Sequence, residues 1–494
     1  MKNKKIFIGY ITVFSSLWAV SAARADFGLI DMSNIAPEKS LNSLQVMGTG
    51  KGEQNAMIPG AVTPNNTGEQ SAIIGIDNGP DAHLVLGIKS GMLIAANTEG
   101  NDKLISETAA PGTTPTEEGY DLGGGLTIGP GYLQPGVKLD TQYDDNLTYS
   151  ATDKIGTFAG IITPHLSYVI PGRKLKINVE SNLEAGFYEA SSIDDYLDAR
   201  IYGSADYQPT SRIYSQLAAE FRKSHDGRGT GRAQGGLGIT QTSPDEWHRW
   251  GIGGKFGYGA LTAKGRVELE GEYISKRYDN NRSLTFVRDL DELNGTARFF
   301  YRFRPKTYLL FETRASQTIY QEDAPGLPTL DSLTTRQLFG VTWLATYKTT
   351  GFLKLGRINK NYSSGQRADD QAFTWEIGVD WKPRTYSTVS LKTDQDFVET
   401  NGTGNAGDRR QVSLSWNHNW RTRLSTNLEL LYGQETYAPD PRQDEFYETS
   451  AKVKYDFRRW LNLEAGYRFS NLDSTEDTFS YDQNVFEFTA DFTF

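Results

Sequence analysis

Five histidines are the residues best suited to proton transfer or metal ligation, and they are scattered: His83, His165, His225, His248 and His418. No His-Glu-x-x-His or comparable ligand spacing occurs among them, so the sequence offers no metal site. A hydrolase at a wall or rim would need a Ser or an Asp brought to a His, and His225 beside Asp226 is the one candidate. Such a pair in a polar stretch is ordinarily just solvated. The chain has no Cys, which removes disulfides, thiolate ligands, thiol catalysis and the acylated Cys of a lipoprotein. The expectation is a protein without enzyme chemistry and without a cofactor.

A different chemistry recurs: charged side chains at every second position. Glu268, Glu270 and Glu272 alternate in one stretch, Arg298 and Arg302 share a parity in another, and Glu312 with Arg314, Lys452 with Lys454, and Glu464 with Arg468 repeat the pattern. Such mixed charges on one wetted face can bind water and sugar hydroxyls without trapping ions of one sign. The plainer alternative is that any hydrated interior needs polar residues and that opposite charges pair across strands. Tyr188, Tyr202 and Tyr214 fall on the same face and could stack on sugar rings.

Only extended strands place residues in this way, because strand side chains alternate with period two. Between the charges lie Val267, Leu269 and Tyr273; Ala297, Phe299, Tyr301 and Phe303; Phe373, Trp375, Ile377, Val379 and Trp381; Val412, Leu414, Trp416 and Trp420; and Leu461, Leu463, Ala465, Tyr467 and Phe469. The period excludes helices. The last eleven residues carry the pattern furthest, with Phe486, Phe488, Ala490, Phe492 and Phe494 opposite Glu487, Thr489, Asp491 and Thr493. This ending is similar to the terminal strand of bacterial outer-membrane barrels, and that likeness implies reading by the barrel-assembly machinery through the strand that ends at Phe494.

From Tyr132 onward, segments of ten to fourteen residues are joined alternately by short and long connections. The short ones hold Pro or Gly with a recurrent basic residue, as in Pro171-Gly172-Arg173, Arg304-Pro305-Lys306 and Lys382-Pro383-Arg384. Aromatics precede many of them, Tyr207, Phe303, Trp381, Trp420 and Phe457 among them, which places a girdle at that end. His418, between Trp416 and Trp420, belongs to the same apolar face. The long connections, for example Ser224 to Pro244, Gln321 to Leu333 and Ser470 to Ser480, are polar. Eight short and nine long connections give about eighteen strands with both ends on the short-turn side. A propeller or solenoid would show a blade signature or a fixed period, and neither is present. The expectation is an all-β, transmembrane antiparallel β-barrel occupying residues 131–494, with apolar residues toward outer-membrane lipid and a hydrated lumen.

The preceding segments differ. Lys2, Lys4 and Lys5, an apolar run from Ile6 to Val20 and Ala23-Arg24-Ala25 predict a signal peptide over residues 1–25. Its removal takes away four bases and no acid, lowering the net charge from −10 to −14. Residues 26–130 are rich in Gly, Pro, Asn, Thr and Ser and read as a largely irregular periplasmic leader or plug, with brief strand-like stretches at 82–88 and 92–95. Aromatics reach 12% although mean hydropathy is only −0.52, a combination that suits a barrel whose alternate residues alone meet lipid. The acidic balance argues against a nucleic-acid partner.

Gly131-Tyr132-Leu133-Gln134-Pro135-Gly136-Val137 running on to Gln142-Tyr143-Asp144-Asp145-Asn146, with Pro164-His165-Leu166-Ser167-Tyr168 and Pro244-Asp245-Glu246-Trp247, resembles the putative β-barrel porin family, type two, over residues 130 to 494. The resemblance implies a pore in the bacterial outer membrane that passes an exopolysaccharide outward, with a periplasmic polysaccharide-export protein as a candidate partner. It supplies no catalytic residues. The other classes to weigh are a small-solute or oligosaccharide diffusion porin, for which an inward-folded loop and trimers would speak, and a plugged receptor. For the last, Ser43-Leu44-Gln45-Val46-Met47 is too weak an energy-coupling box.

Overall fold

The computed structural model describes residues 125–494 except 261, 347 and 401–403, together with Ala61–Val62 and Ile94–Ala95, which pair antiparallel. The predicted signal peptide over residues 1–25 and most of residues 26–130, including the stretch at 82–88 and residues 43–47, lie outside the described residues.

Eighteen strands form one closed antiparallel ring. In chain order they are β1 Gly131–Asp144, β2 Thr157–Ile170, β3 Leu175–Tyr188, β4 Tyr196–Thr210, β5 Ile213–Asp226, β6 Asp245–Tyr258, β7 Gly265–Tyr278, β8 Leu290–Arg304 and β9 Thr307–Tyr320. The second half comprises β10 Ser332–Thr346, β11 Thr349–Tyr362, β12 Asp370–Arg384, β13 Ser387–Val398, β14 Ala406–Arg421, β15 Leu424–Ala438, β16 Gln443–Arg458, β17 Leu461–Ser474 and β18 Tyr481–Thr493. Each strand pairs with its sequence neighbours, so a simple up-and-down meander satisfies the backbone without crossovers. A fourteen-residue strand is about 46 Å long, and at a tilt of ~40° it rises about 35 Å, more than an apolar band of about 25 Å requires. Strand ends therefore stand above the band.

Closure joins β18 to β1 from Val485↔Asp144 to Thr493↔Gly136, and the Phe494 amide donates to the Pro135 carbonyl at 2.9 Å. Beyond that point the edge of β1 is taken by Leu126–Ile128, which pairs back on Gly131–Leu133 as a tight hairpin. The seam leaves no long unpaired edge at this place, which matters because a free edge templates aggregation.

The expected parity holds around the ring. Leu197, Phe339 and Phe373 are 62%, 66% and 61% exposed on the outer face, whereas Glu312 and Leu338 on the inner face are fully buried. Water would oppose so large an apolar outer surface at roughly 25 cal/mol per Å²; acyl chains would not. Trp416, His418, Trp420 and Tyr386 gather on this face beside the β12/β13 and β14/β15 turns, with His418 and Trp420 ring centroids 4.3 Å apart.

Two details depart from the sequence reading. Strands run through Pro209 and Pro383 and turn two residues later, because register shifts between Tyr207 and Thr210 and between Trp381 and Arg384 absorb the missing N–H groups. The long connections are shorter than expected, 227–244 and 475–480 for instance, since polar strand ends keep pairing above the apolar band.

One junction is weaker than the others. β12 pairs with β11 up to Asp370↔Lys360, but with β13 only from Glu376↔Asp394 to Trp381↔Val389 and at Arg384↔Ser387. Above that, Gln395–Val398 of β13 pair with β14 alone. The end of β13 is drawn inward by ion pairs from Arg336 to Asp396 and from Lys360 to Glu399, and by Tyr320 donating to Glu399 at 3.0 Å. The Thr374 hydroxyl bonds the Gln395 carbonyl at 2.7 Å across the parting.

Candidate functional site

Alternation puts all fourteen singled-out residues on the inner face: Tyr188, Tyr202 and Tyr214 on β3, β4 and β5, Glu268, Glu270 and Glu272 on β7, Arg298 and Arg302 on β8, Glu312 and Arg314 on β9, Lys452 and Lys454 on β16, Glu464 and Arg468 on β17. The ring does not gather them into one site. Four, Glu270, Arg298, Glu312 and Arg314, join a continuous belt of ion pairs running from β6 to β13, with Glu268 at its margin.

The belt begins where Lys255 meets Glu270 at 3.1 Å and Arg298 meets Glu270 at 2.6 Å. Arg298 also bonds Glu312 at 2.7 Å; Arg314 joins Glu312 to Glu376, the latter at 2.6 Å; and Lys354 lies 3.3 Å from Glu312 and 2.7 Å from Glu376. Arg336 then connects Glu376, at 2.9 Å, to Asp396. Arg314 and Glu376 belong to β9 and β12, three places apart, and side chains converge over that span only on the concave side of a curved wall. Glu270, Glu312 and Glu376 each face two or more cations, which offsets the cost of holding charge away from bulk water. Glu268 lies at its margin, 3.8 Å from Arg298, and takes the Tyr214 hydroxyl at 2.5 Å.

Smaller clusters flank the belt. Glu220 lies between Arg200 at 2.8 Å and Arg249 at 2.6 Å, and Lys452 lies between Glu464 at 3.1 Å and Glu487 at 2.6 Å on the opposite arc. Arg302 and Lys454 stand nearer the short-turn end. Lys255, Arg336, Lys354, Glu376 and Asp396 were not singled out from the sequence as members of a site, although each falls on the same alternation. Their convergence depends on ring curvature.

The three tyrosines differ. Tyr188 is buried with Leu147 and Ala159 beneath the β1/β2 connection. The buried Tyr214 ring lies over Gly257, where an added Cβ would come within 2.0 Å of it. Tyr202 is half-buried, with the Arg200 guanidinium 5.2 Å from its ring.

The long-connection end is covered by the chain itself. The β5/β6 connection, residues 227–244, folds over the mouth, and the structure fixes it at several points. Arg228 binds Asp194 of the β3/β4 connection at 2.6 Å and the Ser191 hydroxyl at 2.9 Å. Gly229 has φ +83° and packs on Thr148 of the β1/β2 connection, where a Cβ would come within 1.9 Å of the carbonyl oxygen. Gln234 accepts from Arg442 at 2.8 Å. Arg442 is fully buried, bonds Asp444 twice, and stacks on Phe479 and Tyr437 at 3.7 and 4.7 Å. Burial opposes its charge, but the Asp444 carboxylate outweighs that and raises its pKa. Tyr149, from the β1/β2 connection, drops into a cluster of Leu431, Phe446, Leu472 and Tyr481, and burial pushes its phenol up.

The acid-histidine candidate separates. His225 bonds Asp198 at 3.0 Å, whereas Asp226 accepts from the Trp247 indole at 2.8 Å and the Tyr278 hydroxyl at 2.7 Å. Ser224 also donates to Asp198, at 2.6 Å, rather than to the histidine. Among the described residues, the imidazole and the neighbouring Ser224 hydroxyl both bond Asp198, not one another. Among the described residues, no group of three or more His, Asp or Glu side chains is placed to hold a metal ion.

A closed ring of eighteen strands with an apolar outer face, a charged interior and a folded-in connection at one mouth defines a porin-like outer-membrane β-barrel. The family model Putative beta-barrel porin 2 matches residues 123–494, and the chain belongs to that family. No curated relative matches the sequence. Among solved structures, the chain is similar to OpdO of Pseudomonas aeruginosa, at 12% identity and a TM-score of 0.43 over 73% of this chain and 97% of that one. It is also similar to the FrpB iron transporter of Neisseria meningitidis, F5-1 variant (10%, 0.44, over 76% and 84%), and to the siderophore receptor PirA of Acinetobacter baumannii (8%, 0.40, over 73% and 80%).

Proposed function

We propose that the protein is a passive outer-membrane conduit for an exopolysaccharide, without catalysis. The observation that supports this most is the internal pairing of lumen charge. The belt from Lys255 to Asp396 balances guanidinium and ammonium against carboxylate, so a hydrated polymer meets hydrogen-bonding groups without a strong field of either sign. On β13 to β15 the same face continues with Ser390, Ser413, Ser415, Asn417 and Asn427, uncharged partners for sugar hydroxyls. The lumen-facing residues singled out above are the proposed transport lining, and Tyr202 is the tyrosine with ring surface left to offer a sugar. A periplasmic polysaccharide-export protein would deliver the polymer at the short-turn end, and the barrel-assembly machinery would receive β18.

One observation favours a second reading, a diffusion channel for small solutes or oligosaccharides: the β5/β6 connection folded over the mouth narrows the passage. A deletion strain scored for surface polysaccharide, beside liposome swelling by small sugars, separates the two. Loss of polymer with unchanged small-sugar permeability is the result expected of the conduit. Normal polymer with reduced sugar uptake would overturn it in favour of the channel.

A further inference from the structure

All eight short connections share a feature that the transport reading leaves unused. Arg173, Arg212, Lys264, Lys306, Arg423 and Arg459 lie in six of them, the connection between β10 and β11 holds Lys348, and Arg384 stands at the strand end entering the turn at 385–386. None of the eight contains an Asp or a Glu. Taken together the long connections reverse the balance, with Glu189, Asp194 and Asp195 in one and Glu322, Asp323 and Asp331 in another, although the β5/β6 connection itself holds Arg228 and Arg232 and no acid. A chain of net charge −10 thus carries an unbroken ring of positive charge round one rim.

The placement of one of these cations, Lys264, and of Arg304 and Arg458 at the strand ends entering two of the turns, identifies what this rim faces. Lys264 stands 5.5 Å from the ring of Tyr301, Arg304 stands 5.7 Å from Phe303, and Arg458 stands 4.8 Å from Phe457. Those three aromatics are exposed on the outer face, at the lower margin of the apolar band. The charges therefore lie where aromatic girdles meet headgroups, and long basic side chains characteristically extend to that level.

We propose that this rim binds the anionic phospholipid headgroups of the periplasmic leaflet. The inference rests on the outer-membrane reading of the barrel and is independent of the substrate. A leaflet is the partner that surrounds a barrel, as the ring of charge does. A Lys or Arg close to an anionic lipid surface contributes about 1 kcal/mol, and the attraction fades over a Debye length of about 8 Å at physiological salt. The competing occupant is the leader of the same chain, which between residues 26 and 124 has 13 Asp and Glu against 4 Lys. Its attachment at the rim would favour contact on one side, whereas the cations occupy every turn.

The test uses the full mature chain in neutral detergent, titrated in native mass spectrometry with phosphatidylglycerol or with phosphatidylcholine of the same acyl chains. Preferential, salt-sensitive retention of phosphatidylglycerol is expected. A variant with Arg212→Gln, Lys306→Gln, Arg423→Gln and Arg459→Gln should lose at least about tenfold of that preference. Inorganic phosphate should not displace the lipid. Equal binding of the two lipids, an unchanged preference in the variant, or displacement by phosphate would each overturn the proposal. If the fourfold variant fails to reach the folded, heat-modifiable form, the pairs Arg212→Gln with Lys306→Gln and Arg423→Gln with Arg459→Gln replace it, each expected to lose part of the preference. Carbodiimide cross-linking of the full chain covers the leader: links from Lys264 or Lys306 to acids between 26 and 124 that persist at saturating phosphatidylglycerol would assign the rim to the leader instead.

Discussion

Arg442 and Gln234 are hydrogen-bonded at 2.8 Å although β6 and β15, the strands beside them, stand nine places apart in a ring of eighteen. The bond therefore spans the mouth and latches the β5/β6 connection to the far wall. Replacing Arg442 with Ala would leave Asp444 buried without its cation, a loss of about 3–5 kcal/mol for a broken buried pair. Single-channel recordings in planar bilayers should show higher conductance for Arg442→Ala, with no change for Arg410→Ala on the outer face. Equal conductance in both variants would mean that the connection does not limit the path.

The belt makes a second expectation. Glu312 meets Arg298, Arg314 and Lys354, so Glu312→Gln removes one negative charge and leaves three cations less well neutralised. The reversal potential in a KCl gradient should shift toward anion selectivity, with a stability cost of about 1–3 kcal/mol. An unmoved reversal potential would place the belt outside the ion path.

The tyrosines should separate by burial. Tyr188→Ala empties a packed cluster and should cost about 3–5 kcal/mol, read as a lower temperature for loss of the heat-modifiable form. Tyr202→Ala should leave that temperature within about 1 kcal/mol equivalent while reducing polymer secretion. Normal secretion would remove Tyr202 from the sugar path.

The parted junction is accessible to hydrogen exchange. Backbone groups of Asp370–Phe373 that face β13 have no ladder partner there, so this stretch should exchange faster than the matching ends of β10 and β11, which pair on both edges. Uniform protection across β10 to β13 would show the junction to be closed in solution.

Much of the architecture was legible because a membrane-crossing strand writes its two faces into alternate letters. Val412, Leu414 and Trp416 against Ser413 and Ser415 suffice to set the parity of β14, and turn chemistry set the strand number and the side on which the ends lie. The interior was legible as a face but not as a network. Nothing in the spacing of Arg314 and Glu376, sixty-two residues apart, says that curvature brings them to 2.6 Å. The covered mouth was illegible for a related reason, since Gly-rich sequence such as Gly227 to Gly238 fits a solvated loop equally well until Thr148, Asp194 and Arg442 are seen to hold it. For His225 the bonded carboxylate is Asp198 across the strand pair, a partner that adjacency in sequence does not reveal.

Mutual cancellation within the belt also bears on what propels cargo. A belt whose opposite signs are spent on one another adds no electrical gradient of its own along the axis, so on the conduit reading it supplies no drive in either direction. If the proposed conduit is right, direction would have to come from outside the ring, from a polymer pushed at its growing end or drawn away at its free one.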